Sequence, residues 1–350
     1  MKNILNIHFP FGEDRRRYKR ILIVRPDRIG DVVLSTPLPR EIKKTYPDCF
    51  IAVLLRTYTK DIYINNPYVD KIILIDDDPE KSFWEKVKEI RKFKFTHSLL
   101  LMPTERLNYL LFFAGVPYRI GVGHKFYQFI TFTRYADRKK YIPLRHEADY
   151  CMDLARKIGI QTTNLDTEIF LTKTEKQNVK RIRSELLREK KYLIGVHSTS
   201  GNSAPNMETD EYRKLILRLR DLENVRVVIT DINVPPLLEG LSEVYYPDSK
   251  MNLREWFVYI ASVDLLISSS TGPMHIASAL KVKTLSMFCP LTACSPKLWG
   301  PLGNESKIIL PQENYCQTVC PGDPKKCTFT GEGGINSDLM LIETLKLLNL

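Results

Sequence analysis

Asp264-Leu-Leu-Ile-Ser-Ser-Ser-Thr-Gly-Pro-Met-His275 is the stretch whose reading decides the fold. Its apolar half reads as a buried strand ending at Ser268. A polar turn follows, in which Gly272 permits close backbone approach and Pro273 suits the first position of a helix. Ser270 or Thr271 can cap that helix, and His275 falls in its first turn. A helix start of this kind offers free N–H groups and a positive dipole end, a natural seat for a diphosphate. The same residues also suit an ordinary capped helix with a structural histidine.

Outward from this strand, both halves of the chain alternate short β-rich runs with helical patterns, which predicts parallel α/β architecture. In the first half, strands are expected at Ile21–Val24, Ile51–Leu55, Ile72–Ile75 and Ser98–Leu101, with helices at Trp84–Lys92 and Glu147–Ile158. In the second, they are expected at Tyr192–Val196, Val225–Ile229, Asp264–Ile267 and Thr284–Met287, with helices near 209–220, 252–262 and 273–280. Thr162–Thr174 is polar and irregular and precedes a charged helical pattern at Glu175–Lys190, so a domain boundary is placed near residue 170. The expected organisation is a Rossmann-like domain over 1–170, a second over 171–335, and an amphipathic helix over 336–350 that could pack back on the first. In such sheets ligands sit beyond the carboxyl ends of the strands.

The 350 residues are 43% apolar and carry a formal charge of +11. No apolar run approaches the length of about 18–20 residues that spans a bilayer. The first residues do not read as a secretory signal, and seven cysteines without one suggest reduced thiols and a cytoplasmic protein. Residues 1–170 hold 30 Lys and Arg against 21 Asp and Glu, whereas 171–350 hold 22 against 20. The basic excess therefore belongs to the first half, with clusters at Arg15–Arg20 and Arg138–Lys140. It suits an anionic partner, such as a phosphorylated glycolipid or a membrane surface, or equally a solvated face.

Two further stretches join the first. Ile21-Leu-Ile-Val-Arg-Pro-Asp-Arg-Ile-Gly-Asp-Val-Val-Leu-Ser-Thr-Pro37 reads as strand, Gly-Asp turn and helix, and Ser295-Pro-Lys-Leu-Trp-Gly-Pro301 follows the strand ending at Phe288. With Ser270-Thr-Gly-Pro-Met-His-Ile-Ala-Ser-Ala-Leu280 they resemble, in order, the motifs of glycosyltransferase family 9, the heptosyltransferases of lipopolysaccharide core synthesis. The resemblance implies a GT-B fold, two Rossmann-like domains facing each other across a cleft. The acceptor would bind the first domain and the nucleotide sugar the second, with inverting transfer and neither metal nor cofactor. Asp31 matches the catalytic base, which takes the proton from the attacking hydroxyl. At a helix start it is expected to stay ionised, a weaker base, and the same position suits a simple helix cap.

By the same resemblance Thr271, Gly272 and His275 would hold the diphosphate, with Thr199 and Ser200 facing it and Ser270 and Met274 as further candidates for binding the nucleotide sugar. Met251 would lie at the nucleobase and Asp231 on the ribose hydroxyls, although core filler and a plain loop aspartate are the alternative readings. Gly30, Arg28, Arg56, Lys60, Arg119 and Lys125 are the candidates on the acceptor side. The chain departs from the family pattern at Ser270, where an aspartate is usual. A second departure is Gly201-Asn-Ser-Ala-Pro-Asn206, which supplies no cation after the turn; Arg25, Arg28 or Lys297 would have to provide it from across the cleft. The implied partners are a nucleotide-sugar donor (ADP-heptose or similar) and an anionic glycolipid or glycan, without nucleic acid. Peripheral contact with the cytoplasmic face of the inner membrane fits the same picture.

Two other signals are weaker. Asp76-Asp77-Asp78 imitates a metal-binding D-x-D but suits a polar loop, and Cys316, Cys320 and Cys327 suit a reduced structural loop better than zinc. The competing functions are a nucleic-acid binder, a catalytically degenerate scaffold that binds nucleotide or glycan, and a dinucleotide-dependent oxidoreductase. The last lacks G-x-G-x-x-G after its first strand, where Arg25-Pro-Asp-Arg-Ile-Gly30 stands.

Overall fold

Runs of β-branched and aliphatic residues become strands here because both faces of each sheet are covered. The computed structural model describes residues 19–138 and 141–350. The first sheet comprises β1 (Arg20–Val24), β2 (Phe50–Leu55), β3 (Lys71–Leu74), β4 (His97–Leu100), β5 (Tyr118–Val122) and β6 (Arg134–Ala136). The second comprises β7 (Tyr192–His197), β8 (Val225–Ile229), β9 (Val244–Tyr245), β10 (Leu265–Ser269), β11 (Lys283–Met287) and β12 (Ser306–Ile309). Their orders are β3-β2-β1-β4-β5-β6 and β12-β11-β10-β7-β8-β9, with every pairing parallel. Each is the doubly wound order of a dinucleotide-binding sheet, so the expected pair of Rossmann-like sheets is present. Each has one switch point, between β1 and β4 and between β7 and β10, where the crossovers part and leave a crevice.

The period of two along the strands sorts side chains between cores. Ile21 and Ile23 face one apolar core while Leu22 and Val24 face another. The first of these cores also takes Val228, Trp256, Phe257 and Ile276, so it runs on without a break from one half of the chain into the other. Around the first sheet lie α1 (Ile29–Val33), α2 (Pro37–Thr45), α3 (Phe83–Lys92), α4 (Glu105–Phe113), α5 (Phe126–Ile130) and α6 (Glu147–Arg156). Around the second lie α7 (Lys173–Leu187), α8 (Thr209–Arg220), α9 (Leu253–Ala261), α10 (Gly272–Ala279), α11 (Pro296–Trp299), α12 (Tyr315–Thr318) and α13 (Ser337–Leu348). Capping boxes start α3 at Ser82 and Glu85, α7 at Thr172 and Glu175, and α9 at Asn252 and Glu255.

Buried Arg40 fixes the connecting segment: its guanidinium reaches the Asp166 carbonyl, Glu168 and the Asn164 side chain. From the other half, Lys281 Nζ donates to the Thr167 carbonyl at 2.8 Å. The C-terminal helix differs from expectation. α13 packs on α8 of the second half, with Met340 and Leu348 in that core, the Ser337 N–H donating to Glu211, and Arg218 paired with Asp338. Its apolar stripe indicated burial but not which surface it would meet.

No helix among the described residues is long and apolar enough to cross a membrane. The basic clusters at Arg15–Arg20 and Arg138–Lys140 lie outside the described residues except for Lys19, Arg20 and Arg138. All seven cysteines are free, and Cys316, Cys320 and Cys327 pack into the second core as apolar filler. The aspartate run is absorbed by its loop: Asp76 accepts from Thr57, Asp77 pairs with Lys81 and Lys86, and Asp78 accepts the Glu80 N–H.

Candidate active site

The two switch points face each other. α1 and α10 meet at their N-terminal ends, and two glycines make the approach close. A β-carbon on Gly30 would stand 2.9 Å from His275 Cδ2, and one on Gly272 would stand 3.3 Å from Ile29 Cγ2. Beside this contact opens a cavity of about 440 Å³, lined by Arg28, Gly30, Asp31 and Tyr58 from the first half. From the second half it is lined by His197, Thr199, Ser200, Ser270, Thr271, Gly272, His275, Cys294 and Trp299. Most of the residues expected at the site are thus brought together across 240 positions of sequence.

Asp31 sits in the first turn of α1 but caps nothing; the N-cap position is Arg28. Its Oδ1 accepts from Arg25 Nη2 at 2.8 Å. Arg25 is buried beneath it and also pairs with Asp27 at 3.2 Å and Glu147 at 3.1 Å. Glu147 takes a second cation, Arg138, at 3.1 Å. Burial pushes the Asp31 carboxyl above the usual aspartate range; Arg25 opposes that rise and Glu147 adds to it. Asp27 is pushed up to about 7, by burial first, against Arg25 and with help from Asp31. This corrects the expectation of a weakened base. The dipole of so short a helix is worth at most about 1 kcal/mol, under one pKa unit, and desolvation outweighs it.

The opposite wall is built from two turns. Thr271 occupies the N-cap of α10, yet its hydroxyl donates to the Ser269 carbonyl at 3.4 Å and caps nothing. No side chain caps the first turn of α10, and since Pro273 has no N–H, the donor this helix offers at the cavity wall is the Gly272 N–H together with the positive end of the helix. His275 is buried, and burial lowers its pKa to about 3, so the ring is neutral. Its Nδ1 has no partner among the described residues. The second turn hangs on Asp231, which is 1% exposed and accepts from the N–H and hydroxyl of both Ser198 and Thr199, at 2.7–3.0 Å. That assigns Asp231 a scaffold role and corrects its placement on the ribose: both oxygens are spent beneath the turn. Thr199 has spent its donors too, leaving Ser200 to offer an N–H and a hydroxyl. His197 lies beside them with Nδ1 3.1 Å from Thr230 Oγ1, kept neutral by burial.

Other expected residues stand apart. Met251 packs half-buried against the core and Met274 is fully buried, and neither lines the cavity. Arg119 is no acceptor contact: it is buried, its guanidinium reaches the Val116 and Thr131 carbonyls, and it stacks 5.2 Å from the Phe112 ring. Arg56 and Lys125 are exposed and Lys60 half-buried, all away from the cavity lining. Of the three cations considered for the diphosphate, Arg25 is consumed by its carboxylates and Lys297 is not on the wall. Arg28 is.

Tyr58, Cys294 and Trp299 were not foreseen at the site. Tyr58 is fixed by its hydroxyl donating to the Asp27 carbonyl at 2.6 Å, and Trp299 by its Nε1 donating to Ala293 O at 2.8 Å. Trp299 had a signal, since it lies in the 295–301 motif.

Comparison with known proteins bears on the family and the fold. The model of glycosyltransferase family 9 (heptosyltransferase) matches residues 85–327. The chain is 24% identical to lipooligosaccharide heptosyltransferase 2 of Haemophilus influenzae, over 91% of its own length and 94% of that protein's. Among solved structures, it superposes on a glycosyl transferase family 9 protein of Veillonella parvula with a TM-score of 0.78 at 20% identity, covering 95% and 98% of the two chains. It superposes on Escherichia coli ADP-heptose lps heptosyltransferase II with a TM-score of 0.71, also at 20% identity, covering 94% and 98%. At these identities the superpositions speak for the GT-B fold, and the family match for kinship. The chain belongs to glycosyltransferase family 9, the heptosyltransferase family.

Proposed function

We propose that this glycosyltransferase moves a heptose or related sugar from an ADP-linked donor to an anionic acceptor of the lipopolysaccharide-core type. Transfer inverts the anomeric carbon in one displacement, without a metal, and Asp31 is the general base. The observation that carries the reading is the cavity between the two switch points. One wall presents a desolvated carboxylate, and the other presents the uncapped N-terminus of α10, a neutral imidazole and the Ser200 turn. A volume of about 440 Å³ suits the diphosphate and sugar of a nucleotide donor, within the usual range of about 300–1,000 Å³ for ligand sites.

In this reading the acceptor oxygen attacks the anomeric carbon as its proton passes to Asp31. The bond from that carbon to the diphosphate oxygen breaks on the opposite side. A base with a raised pKa takes the proton more readily, and Arg25 holds the carboxylate still without neutralising it. Charge gathering on the leaving diphosphate meets the N-terminal end of α10 and Arg28, donors aimed before the reaction begins. The relative solved as an ADP-heptose enzyme supports ADP as the nucleotide. The test is a transfer assay with ADP-, GDP- and UDP-sugars and a truncated core acceptor, with and without chelator. Turnover with the ADP-sugar, insensitive to chelator, is expected. No turnover with any donor, or loss on chelation, would overturn it.

A further inference from the structure

The connection between β5 and β6 is built inside out. Its buried side chains are polar: Gln128, Thr131 and Thr133, with Asn108 of α4 beneath them. Gln128 Nε2 donates to the Val122 carbonyl at 3.2 Å, Thr133 Oγ1 to Asn108 Oδ1 at 2.9 Å, and the Tyr127 hydroxyl to Pro103 O at 2.8 Å. These bonds anchor α5 firmly, so its outward face is held and not adrift. That face is apolar. Phe126, Phe129 and Phe132 are 78%, 79% and 82% exposed, with Ile130 and Tyr135 about half exposed beside them. None of the three phenylalanine rings stacks on another ring among the described residues. Phe132 is also held at φ 52°, a left-handed conformation rare for a bulky residue.

Burial does not explain these side chains, and water is a poor partner for them. Three rings exposed to this degree present on the order of 400–500 Å² of apolar surface, near the largest patch expected on an ordinary monomer. Charge identifies the occupant. From Tyr118 to Ala136 the sequence has no acidic residue and three basic ones, Arg119, Lys125 and Arg134. Lys125 and Arg134 are exposed at the border of the patch, in the half of the chain that carries most of the positive excess. Aromatic tips flanked by two cations, Lys125 and an Arg134 whose guanidinium lies over the Tyr118 ring at 5.5 Å, match the boundary of an anionic bilayer, where rings enter the acyl region and ammonium or guanidinium groups meet phosphates.

We propose that α5 and its flanking turns form a docking wedge for an anionic phospholipid surface, with Phe126, Phe129 and Phe132 as the inserted side chains. The position fits the proposed transfer. β5 lies two strands from β1, roughly 10 Å across the sheet. Its carboxyl end is on the same edge as the Arg25–Asp31 loop, so docking would bring the cavity to where a glycolipid headgroup emerges. That last clause rests on the acceptor assigned above, whereas the docking itself does not.

The test is flotation of the full chain with vesicles of phosphatidylcholine, with or without phosphatidylglycerol, so failure of transfer leaves it intact. Wild type should float with the anionic vesicles and weakly with the neutral ones. Phe126→Ser/Phe129→Ser/Phe132→Ser should lower the partition coefficient at least about tenfold while its melting curve and ADP binding stay unchanged. Lys125→Ser/Arg134→Ser should erase the preference for phosphatidylglycerol. Should the triple variant fail to fold, Phe129→Trp decides, with a blue shift of its emission on anionic vesicles. Equal flotation of wild type and triple variant, no flotation of wild type, or no blue shift would overturn the proposal. So would a wild-type dimer in sedimentation equilibrium that the triple variant dissolves, since the patch would then be a contact between copies.

Discussion

Replacing Gly30 with alanine adds one carbon at the point where the two halves of the chain touch. That carbon would stand 2.9 Å from His275 Cδ2, 3.6 Å from Nε2 and 3.9 Å from Gly272 Cα. Ordinary contact begins near 3.4 Å, so α1 and α10 must part by about 0.5 Å, because a buried imidazole backed by its helix cannot swing aside. Overpacking of this kind costs about 1–3 kcal/mol, and alanine in a helix returns up to about 1 kcal/mol relative to glycine. The net loss of stability is therefore small, about 0–2 kcal/mol, and melting temperature is a poor discriminator. Catalysis is the sharper one. Asp31 and the α10 N-terminus stand on the two walls that are forced apart, and a misplacement near 1 Å costs about a hundredfold. Transfer by Gly30→Ala, followed by single-turnover kinetics at saturating donor, should fall about ten- to a hundredfold with donor affinity little changed. Gly272→Ala, whose added carbon would stand 3.3 Å from Ile29 Cγ2, 3.4 Å from Ile29 Cβ and 3.9 Å from the Gly30 N, needs a shift of only about 0.1 Å to reach ordinary contact and should lose much less. Wild-type turnover in Gly30→Ala would refute the claim that this contact sets the distance between the reacting groups.

Further expectations concern single charges. Arg28→Gln should weaken nucleoside-diphosphate binding about tenfold in calorimetry, since it removes the cation on the cavity wall. Glu147→Gln removes a negative neighbour that raises the Asp31 pKa, so the acid limb of the pH–rate profile should move to lower pH; a limb moving upward would contradict the assignment. Asp231→Ala strands the Ser198 and Thr199 donors and should cost about 3 kcal/mol or more in denaturant unfolding, with donor binding lost alongside.

The strands and the facing turns were legible because they are written locally. An apolar run of four or five residues between polar turns has little choice but to be a buried strand, as Ile21–Val24 and Ile51–Leu55 show. Glu147 was not legible as a partner of Arg25, since 122 positions separate them and only the packing of α6 joins them. Asp231 was misread because an aspartate after a strand serves a ligand diol and a neighbouring turn equally well. Arg119 was misread for a similar reason: a basic residue in a strand gives no local sign that carbonyls brought in by neighbouring turns will enclose it. α5 escaped notice because its apolar side chains face outward, and β6 because its three residues place only Ala136 in the core, so no periodic burial pattern marks either.

The most direct measurement is the transfer rate of Asp31→Asn beside its affinity for the donor nucleotide. The side chain keeps its shape and loses its basicity, so the rate should fall about a hundred- to ten-thousandfold, while calorimetry finds ADP bound within a few fold of wild type. A variant that turns over at the wild-type rate would contradict the assignment of Asp31 as the base. One that no longer binds the nucleotide would contradict the division of labour between the two walls of the cavity.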